Sequence, residues 1–411
     1  MLATAKLWFK KKHDIILMDW REGEILTELM IDKSYYNTLD IEGFSRMMSS
    51  PSYCYKFYWL EAIVQLMSAN RTEATYDEII NKMIVNAWFP VREYHIHLSG
   101  IYGEGEIKDN LEKAVSRLFN LTHLPGNADE IQIVNKLNEF SEDKELHFYK
   151  TELTKNVPYK ALSGFANKGT EKISLDSSAG RMIAYYNRLS ETEILLPYTF
   201  NHEKSLKKVV TFNDGWIQMI QDNAVSILGW IKYEKVKWLQ NNNPEVPGIV
   251  YKLTQEDEKT RKLENVRKLW DAVLEIRRVK NVFKEGYINR ESYAVDHFIP
   301  RNFVMNDELW NLMPLDPIQN MQKNKKLPVW NDYFERFANN QFIMYELIHE
   351  KPGLLKLYKH CYKDNLHSIW AVQELYRRGN SPAEFINILG KNMHPIYDSA
   401  RRQGYEIWKV S

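Results

Sequence analysis

Residues 293–328 read YAVDHFIPRNFVMNDELWNLMPLDPIQNMQKNKKLP. An apolar, strand-like run from Val295 to Ile299 carries the pair Asp296-His297 and stops at Pro300. Leu309-Trp-Asn-Leu312 follows, with Asn311 fourteen residues after His297, and Asn320-x-x-Lys323 begins nine residues after Asn311. Neighbours on a regular strand point to opposite faces, so Asp296 and His297 share one site only if the strand bends there. Pro300 and the loop after it permit such a bend.

Working outward, the chain reads as helical on both sides. Tyr55, Tyr58, Trp59, Ala62, Ile63, Leu66 and Met67 keep the spacing of a helix that buries one face. A capping box at Thr75-Tyr-Asp-Glu78 starts a second helix, predicted to end near Trp88 because Pro90 disfavours helix at Phe89. From Asp214 to Gln240 the helical period returns, until Asn241-Asn-Asn-Pro-Glu-Val-Pro-Gly248 stops it. A charged amphipathic helix is predicted from about Gln255 to Val279, with Leu263, Val266, Leu269, Trp270, Val273 and Leu274 as its apolar stripe. After Pro328, Trp330, Tyr333, Phe334 and Phe337 are spaced for burial, and the box at Ser381 opens a last helix predicted to end at Gly390. Four regions result: helical 1–150, mixed and mainly helical 151–250, the distinctive segment within 251–330, and C-terminal helices 331–411.

Composition narrows the function classes. The 411 residues carry 55 Lys plus Arg against 54 Asp plus Glu, so attraction to a polyanion must come from local clustering. Two cysteines, Cys54 and Cys361, cannot build a four-thiolate zinc site or a disulfide framework, and they suit a reducing cytosol. No run of about 18 apolar residues is present, and Met1 to Lys12 is too short an apolar region for a signal peptide, so a cytoplasmic protein without a membrane partner is expected. Abundant Trp, Tyr and Phe with few Gly and Pro favour helices over a turn-rich sandwich. His95 and His97 alternate around Ile96 without a third partner and read as structural, and Cys54 reads as a small buried hydrophobe. Lys10-Lys-Lys12, Arg377-Arg378 and Arg401-Arg402 read as solvated faces.

The segment 293–328 resembles the active segment of HNH endonucleases, on three elements in the right order and spacing: Asp296-His297, Leu309-Trp-Asn-Leu312 and Asn320-x-x-Lys323. The resemblance implies a mainly α protein with a small α+β module, a β-hairpin and a helix clasped round one divalent metal. It implies His297 as the general base that activates water, Asp296 and Asn320 as metal ligands, and Asn311 as the residue that orients the histidine ring. Lys323, Lys325, Lys326, Arg301 and Arg278 are the expected DNA contacts. The chemistry is coherent: histidine titrates near neutrality and can assist a water nucleophile, while a metal ion supplies positive charge beside the phosphoryl oxygens. Asp plus Asn offers hard oxygen ligands and suits Mg²⁺ or Mn²⁺. Where some relatives carry a histidine this chain has Asn320, and the paired cysteines of many relatives are absent.

The implied activity is metal-dependent nicking or cutting of double-stranded DNA. The flanks Ser52–Leu60, Ala87–Pro90, Leu196–Phe200 and Asn243–Ile249 are similar to bacterial proteins with a long helical N-terminal region and a C-terminal HNH domain. Such proteins are often encoded with anti-phage defence or restriction genes, which implies other defence subunits as partners. Two alternatives stand beside this reading: a non-catalytic nucleic-acid-binding or regulatory subunit, and an RNA-cleaving effector.

Overall fold

A computed structural model of the chain describes residues 29, 31–48, 51, 53–100, 107–253 and 261–410. The readings on Met1–Lys12, and the start of the charged helix near Gln255, lie outside the described residues.

Helix α1 (Tyr55–Ser68) buries Tyr58, Trp59, Ala62, Ile63 and Met67 of the predicted stripe, leaves Tyr55 and Leu66 half-buried, and buries Phe57, Leu60 and Val64 besides. Strand β1 (Glu73–Thr75) leads into α2 (Tyr76–Tyr94), where Thr75 and Glu78 form the reciprocal capping box. Helix α2 does not stop near Trp88. It continues through the buried Pro90 to a left-handed His95, and the N–H groups of His95 and Ile96 both donate to the Pro90 carbonyl. Burial of Ala87, Trp88 and Val91 on one face outweighs the local proline preference. Helix α3 (Asn110–Thr122) starts on the Asp109 carboxylate, which accepts from the Leu111 and Glu112 N–H groups.

Strands β2 (Tyr198–Phe200) and β3 (Val209–Phe212) join β1 in an antiparallel sheet of order β1-β3-β2. Helix α4 (Asp214–Asn242) packs on α1, and the indole of Trp59 donates to the Tyr198 hydroxyl at 3.0 Å to tie α1 to the sheet.

The C-terminal part opens with α5 (Glu264–Ile276), whose predicted stripe of Val266, Leu269, Trp270, Val273 and Leu274 is buried. Strand β4 (Ala294–His297) and strand β5 (Leu312–Leu315) form an antiparallel pair with Asp296 opposite Met313 and His297 opposite Leu312. Helix α6 (Pro317–Lys323) follows directly, started by Asp316 as its cap and by Pro317 in its first turn. Strand β6 (Leu327–Pro328) then leads to α7 (Trp330–Glu350), α8 (Pro352–Asn365) and α9 (Pro382–Arg402), and β7 (Ile407–Trp408) returns to pair in parallel with β6. The chain is therefore mainly helical with small sheets, and the β4–β5–α6 unit is the α+β module in its C-terminal third.

Gly390 does not end α9, which runs on to Arg402. A Cβ at Gly390 would lie 3.2 Å from the Phe334 ring, so this glycine serves the close approach of α9 to α7 and not a helix stop. Contacts also cross the expected boundary at Asn243–Gly248: buried Lys252 donates to the Phe303 carbonyl at 2.7 Å, and Glu93 of α2 accepts from Asn302 at 3.0 Å. Among the described residues no helix is long and apolar enough to cross a membrane.

Candidate functional site

Strand β4 is paired through both members of the Asp-His pair, and its burial alternates strictly, with Val295 and His297 buried and Ala294 and Asp296 half-buried. Asp296 and His297 therefore point to opposite faces. The backbone bends only afterwards, at Phe298 and Ile299, and Asn311 holds that bend. The fully buried Asn311 amide accepts from the Ile299 N–H and donates to the Ile299 carbonyl, both at 2.8 Å, while its own carbonyl accepts from the Phe298 N–H at 2.9 Å. The resemblance implies that a backbone or side-chain oxygen of Asn311 holds the histidine ring. In the structure both ends of its amide are engaged by the backbone two residues beyond His297.

On one face of β4, Asp296 meets α6. Lys323 is wholly buried and its ammonium donates to Asp296 Oδ2 at 2.9 Å. This corrects the expected role of Lys323 as a DNA contact, because a side chain with no exposed surface cannot reach a phosphate without leaving its place. Asn320 lies one turn earlier, so it shares the α6 face that Lys323 presents to Asp296. It is half-buried and its side chain makes no hydrogen bond among the described residues. Helix α6 is fixed by a second buried pair, in which Asn281 donates to Gln319 at 2.8 Å. Asp316 caps the helix through the Ile318 and Gln319 N–H groups. Burial alone would raise the Asp316 carboxyl, but the Gln319 N–H and Lys284, 3.2 Å away, hold it below its usual range.

These residues fit a divalent metal. Asp296 keeps Oδ1 without a hydrogen-bond partner among the described residues, and Asn320, one turn before Lys323 on α6, carries an amide oxygen of the same hard donor type. Two hard oxygen donors leave the other positions of an octahedral shell to water and phosphate, as Mg²⁺ prefers. Among the described residues no group of three or more His, Cys, Asp or Glu side chains is placed to hold a metal ion.

On the opposite face, His297 is 1% exposed. Its Nε2 lies 3.1 Å from the Asn306 carbonyl oxygen and 3.1 Å from Asp307 Oδ1. Asp307 also faces Arg261 at 3.2 Å and Arg301 at 3.5 Å. Burial works to raise the Asp307 carboxyl, but the hydrogen bond and charge of His297, with both arginines, outweigh it and hold the group below its usual range. Neither Asp307 nor Arg261 was singled out in the sequence. Their only signal is that Asp307 sits in the loop between two recognised elements.

The remaining expected DNA contacts are spread over the surface. Arg278 is exposed with its guanidinium 4.8 Å from the Tyr287 ring centre, and Arg301 is half-buried beside Asp307. Lys325 is exposed and paired with Glu93 of α2, and Lys326 is paired with Glu406 at 2.8 Å. His97 pairs with Glu112 at 2.7 Å, and the His95 ring packs 4.8 Å from Tyr405. Burial, with Arg92 nearby, pushes the His95 imidazole down to about 4. Cys54 is fully buried.

Residues 281–329 match the family model described as HNH endonuclease, and the match spans β4, β5 and α6. This segment of the chain is thus an HNH module, the module of a nuclease-type hydrolase. No curated protein and no solved structure matches the chain.

Proposed function

We propose that this protein is a metal-dependent endonuclease that hydrolyses phosphodiester bonds of double-stranded DNA, with Asp296 and Asn320 as ligands of one Mg²⁺ or Mn²⁺ ion and His297 as the general base; because the two neighbours leave β4 on opposite faces, this reading requires the strand to turn at His297 when the phosphate binds. What supports the reading is the HNH match over residues 281–329, together with the open Oδ1 of Asp296 on β4 and the place of Asn320 one turn before Lys323 on α6. A divalent ion bound there supplies Lewis acidity to the phosphoryl group and the leaving oxygen. His297 takes a proton from the attacking water, Asn311 fixes the backbone that follows the histidine, and Lys323 holds the Asp296 carboxylate in place. Arg278, Arg301, Lys325 and Lys326 are the side chains from which a phosphate backbone draws charge. The flanking helical regions, as in the similar bacterial proteins, serve anti-phage defence or restriction with further subunits.

Supercoiled plasmid incubated with Mg²⁺, Mn²⁺ or EDTA tests this, beside His297→Ala and Asn320→Ala. Conversion to open-circle or linear DNA is expected only with metal and only in the wild type. One active site per chain should nick first. Cleavage that persists in His297→Ala would overturn the mechanism, and digestion of RNA in preference to the plasmid would move the substrate to RNA.

A further inference from the structure

His297 makes two contacts through one ring nitrogen, and both partners of Nε2, the Asn306 carbonyl and the Asp307 carboxylate, are acceptors. A nitrogen facing two acceptors must carry the hydrogen, so the neutral ring has its proton on Nε2. Nδ1 makes no hydrogen bond among the described residues. Its lone pair is the one left to receive a proton.

The loop that supplies these acceptors is anchored on several sides. Met305 takes a left-handed conformation and donates to the Arg301 carbonyl at 2.7 Å, which turns the chain back over the ring. The Asp307 carbonyl accepts from Asn365 of α8 at 3.0 Å. The buried Glu308 carboxylate next door accepts from the His367 N–H at 2.8 Å and the Trp310 indole at 3.0 Å. Arg261 and Arg301 flank the Asp307 carboxylate itself. A carboxylate fixed in this way sets the angle and the tautomer of the imidazole it touches, as outer partners do for working histidines generally.

We propose that Asp307 is the positioning residue for His297, holding the ring as its Nε2–H tautomer so that Nδ1 is the nitrogen that receives the proton. The assignment rests on His297 being the base of the nuclease, and the test separates the two ideas. Heteronuclear NMR of the imidazole nitrogens, with His297 identified by comparison with His297→Gln, reads the tautomer without any need for cleavage. At about pH 8 the wild type is expected to show protonated Nε2, and Asp307→Ala a shift toward the Nδ1–H form. Kinetics on plasmid DNA supply the second arm. Asp307→Ala should lower kcat by about 10- to 100-fold with KM unchanged, and Asp307→Asn, which keeps an acceptor oxygen, should lose less. Thermal melting of both variants checks that they fold. An Nδ1–H tautomer in the wild type would overturn the proposal even if the enzyme cuts DNA. So would a fall in Asp307→Ala that lies in KM alone, or one matched by Asp307→Asn. An inactive wild type with the expected tautomer would refute the nuclease reading and leave the Asp307 assignment standing.

Discussion

Removing either member of the Asp296–Lys323 pair should have unequal costs, and removing both should restore much of the loss. At 2.9 Å and an effective dielectric constant of about 20, their gross attraction is about 6 kcal/mol. Desolvation takes back most of this, heavily for Lys323, which has no exposed side-chain surface, and less for Asp296, whose side chain is 16% exposed. Asp296→Asn strands a buried ammonium and should cost about 3–5 kcal/mol. Lys323→Met leaves a carboxylate that water can still reach, and should cost about 1–2 kcal/mol. The double variant replaces both charges and should fall within about 1 kcal/mol of the wild type. A coupling energy of about 3–7 kcal/mol is therefore expected from the double-mutant cycle. Urea unfolding followed by tryptophan fluorescence, in EDTA, measures all four proteins. Millimolar Mg²⁺ adds a second arm, because Lys323→Met no longer sets an ammonium against the metal and should gain more stability from it than the wild type. A coupling below about 0.5 kcal/mol, or equal costs for the two single variants, would refute the view that a buried cation is committed to Asp296.

Two further outcomes follow from the packing. Burial pulls the Lys252 ammonium down from 10.5 to about 7, so between those values the unfolded chain binds more protons and the folded protein gains stability as pH rises, by up to about 1.4 kcal/mol per unit. Lys252→Met lacks this slope, and unfolding free energies at about pH 7.5 and 9.5 should converge toward the wild type at the higher pH; parallel values would exclude it. At Gly390 the added methyl of Gly390→Ala meets a Phe334 ring stacked on Trp330 at 4.1 Å, so overpacking should exceed the helix-propensity gain and leave a net loss of about 1 kcal/mol. A raised urea midpoint would show that Phe334 yields freely.

The helical framework was legible because it rests on short-range periodicity, and the module was located by its resemblance to the HNH active segment. The stripe of α5 and the boxes at Thr75 and Ser381 are properties of residues three or four apart. The helical spacing of Asn320 and Lys323 is of the same kind, with both on α6. Stop signals failed where tertiary burial competed: Pro90 and Gly390 both lie inside helices because their neighbours fill the core. The partners of the site's polar groups were not legible. Whether the Asn311 amide reaches a ring or a backbone depends on the pleat of β4 against β5, and spacing carries no information on that. Lys323 reads as a basic surface residue until the fold shows its ammonium inside. Asp307 meets His297 only because a left-handed turn at Met305 brings a loop back over the strand.

The parallel pairing of β6 with β7 bears on how the chain is made. Leu327 bonds to a segment around Ile407, 80 residues further along (327 to 407). At translation speeds of about 5–20 residues per second, the edge just beyond α6 waits roughly 4–16 seconds for its partner to leave the ribosome. Meanwhile β4, β5 and α6, all within 30 residues of one another (294 to 323), can already be assembled. The nascent chain thus holds a formed module whose far edge is still open, and its completion is timed by synthesis and not by the module's own folding rate.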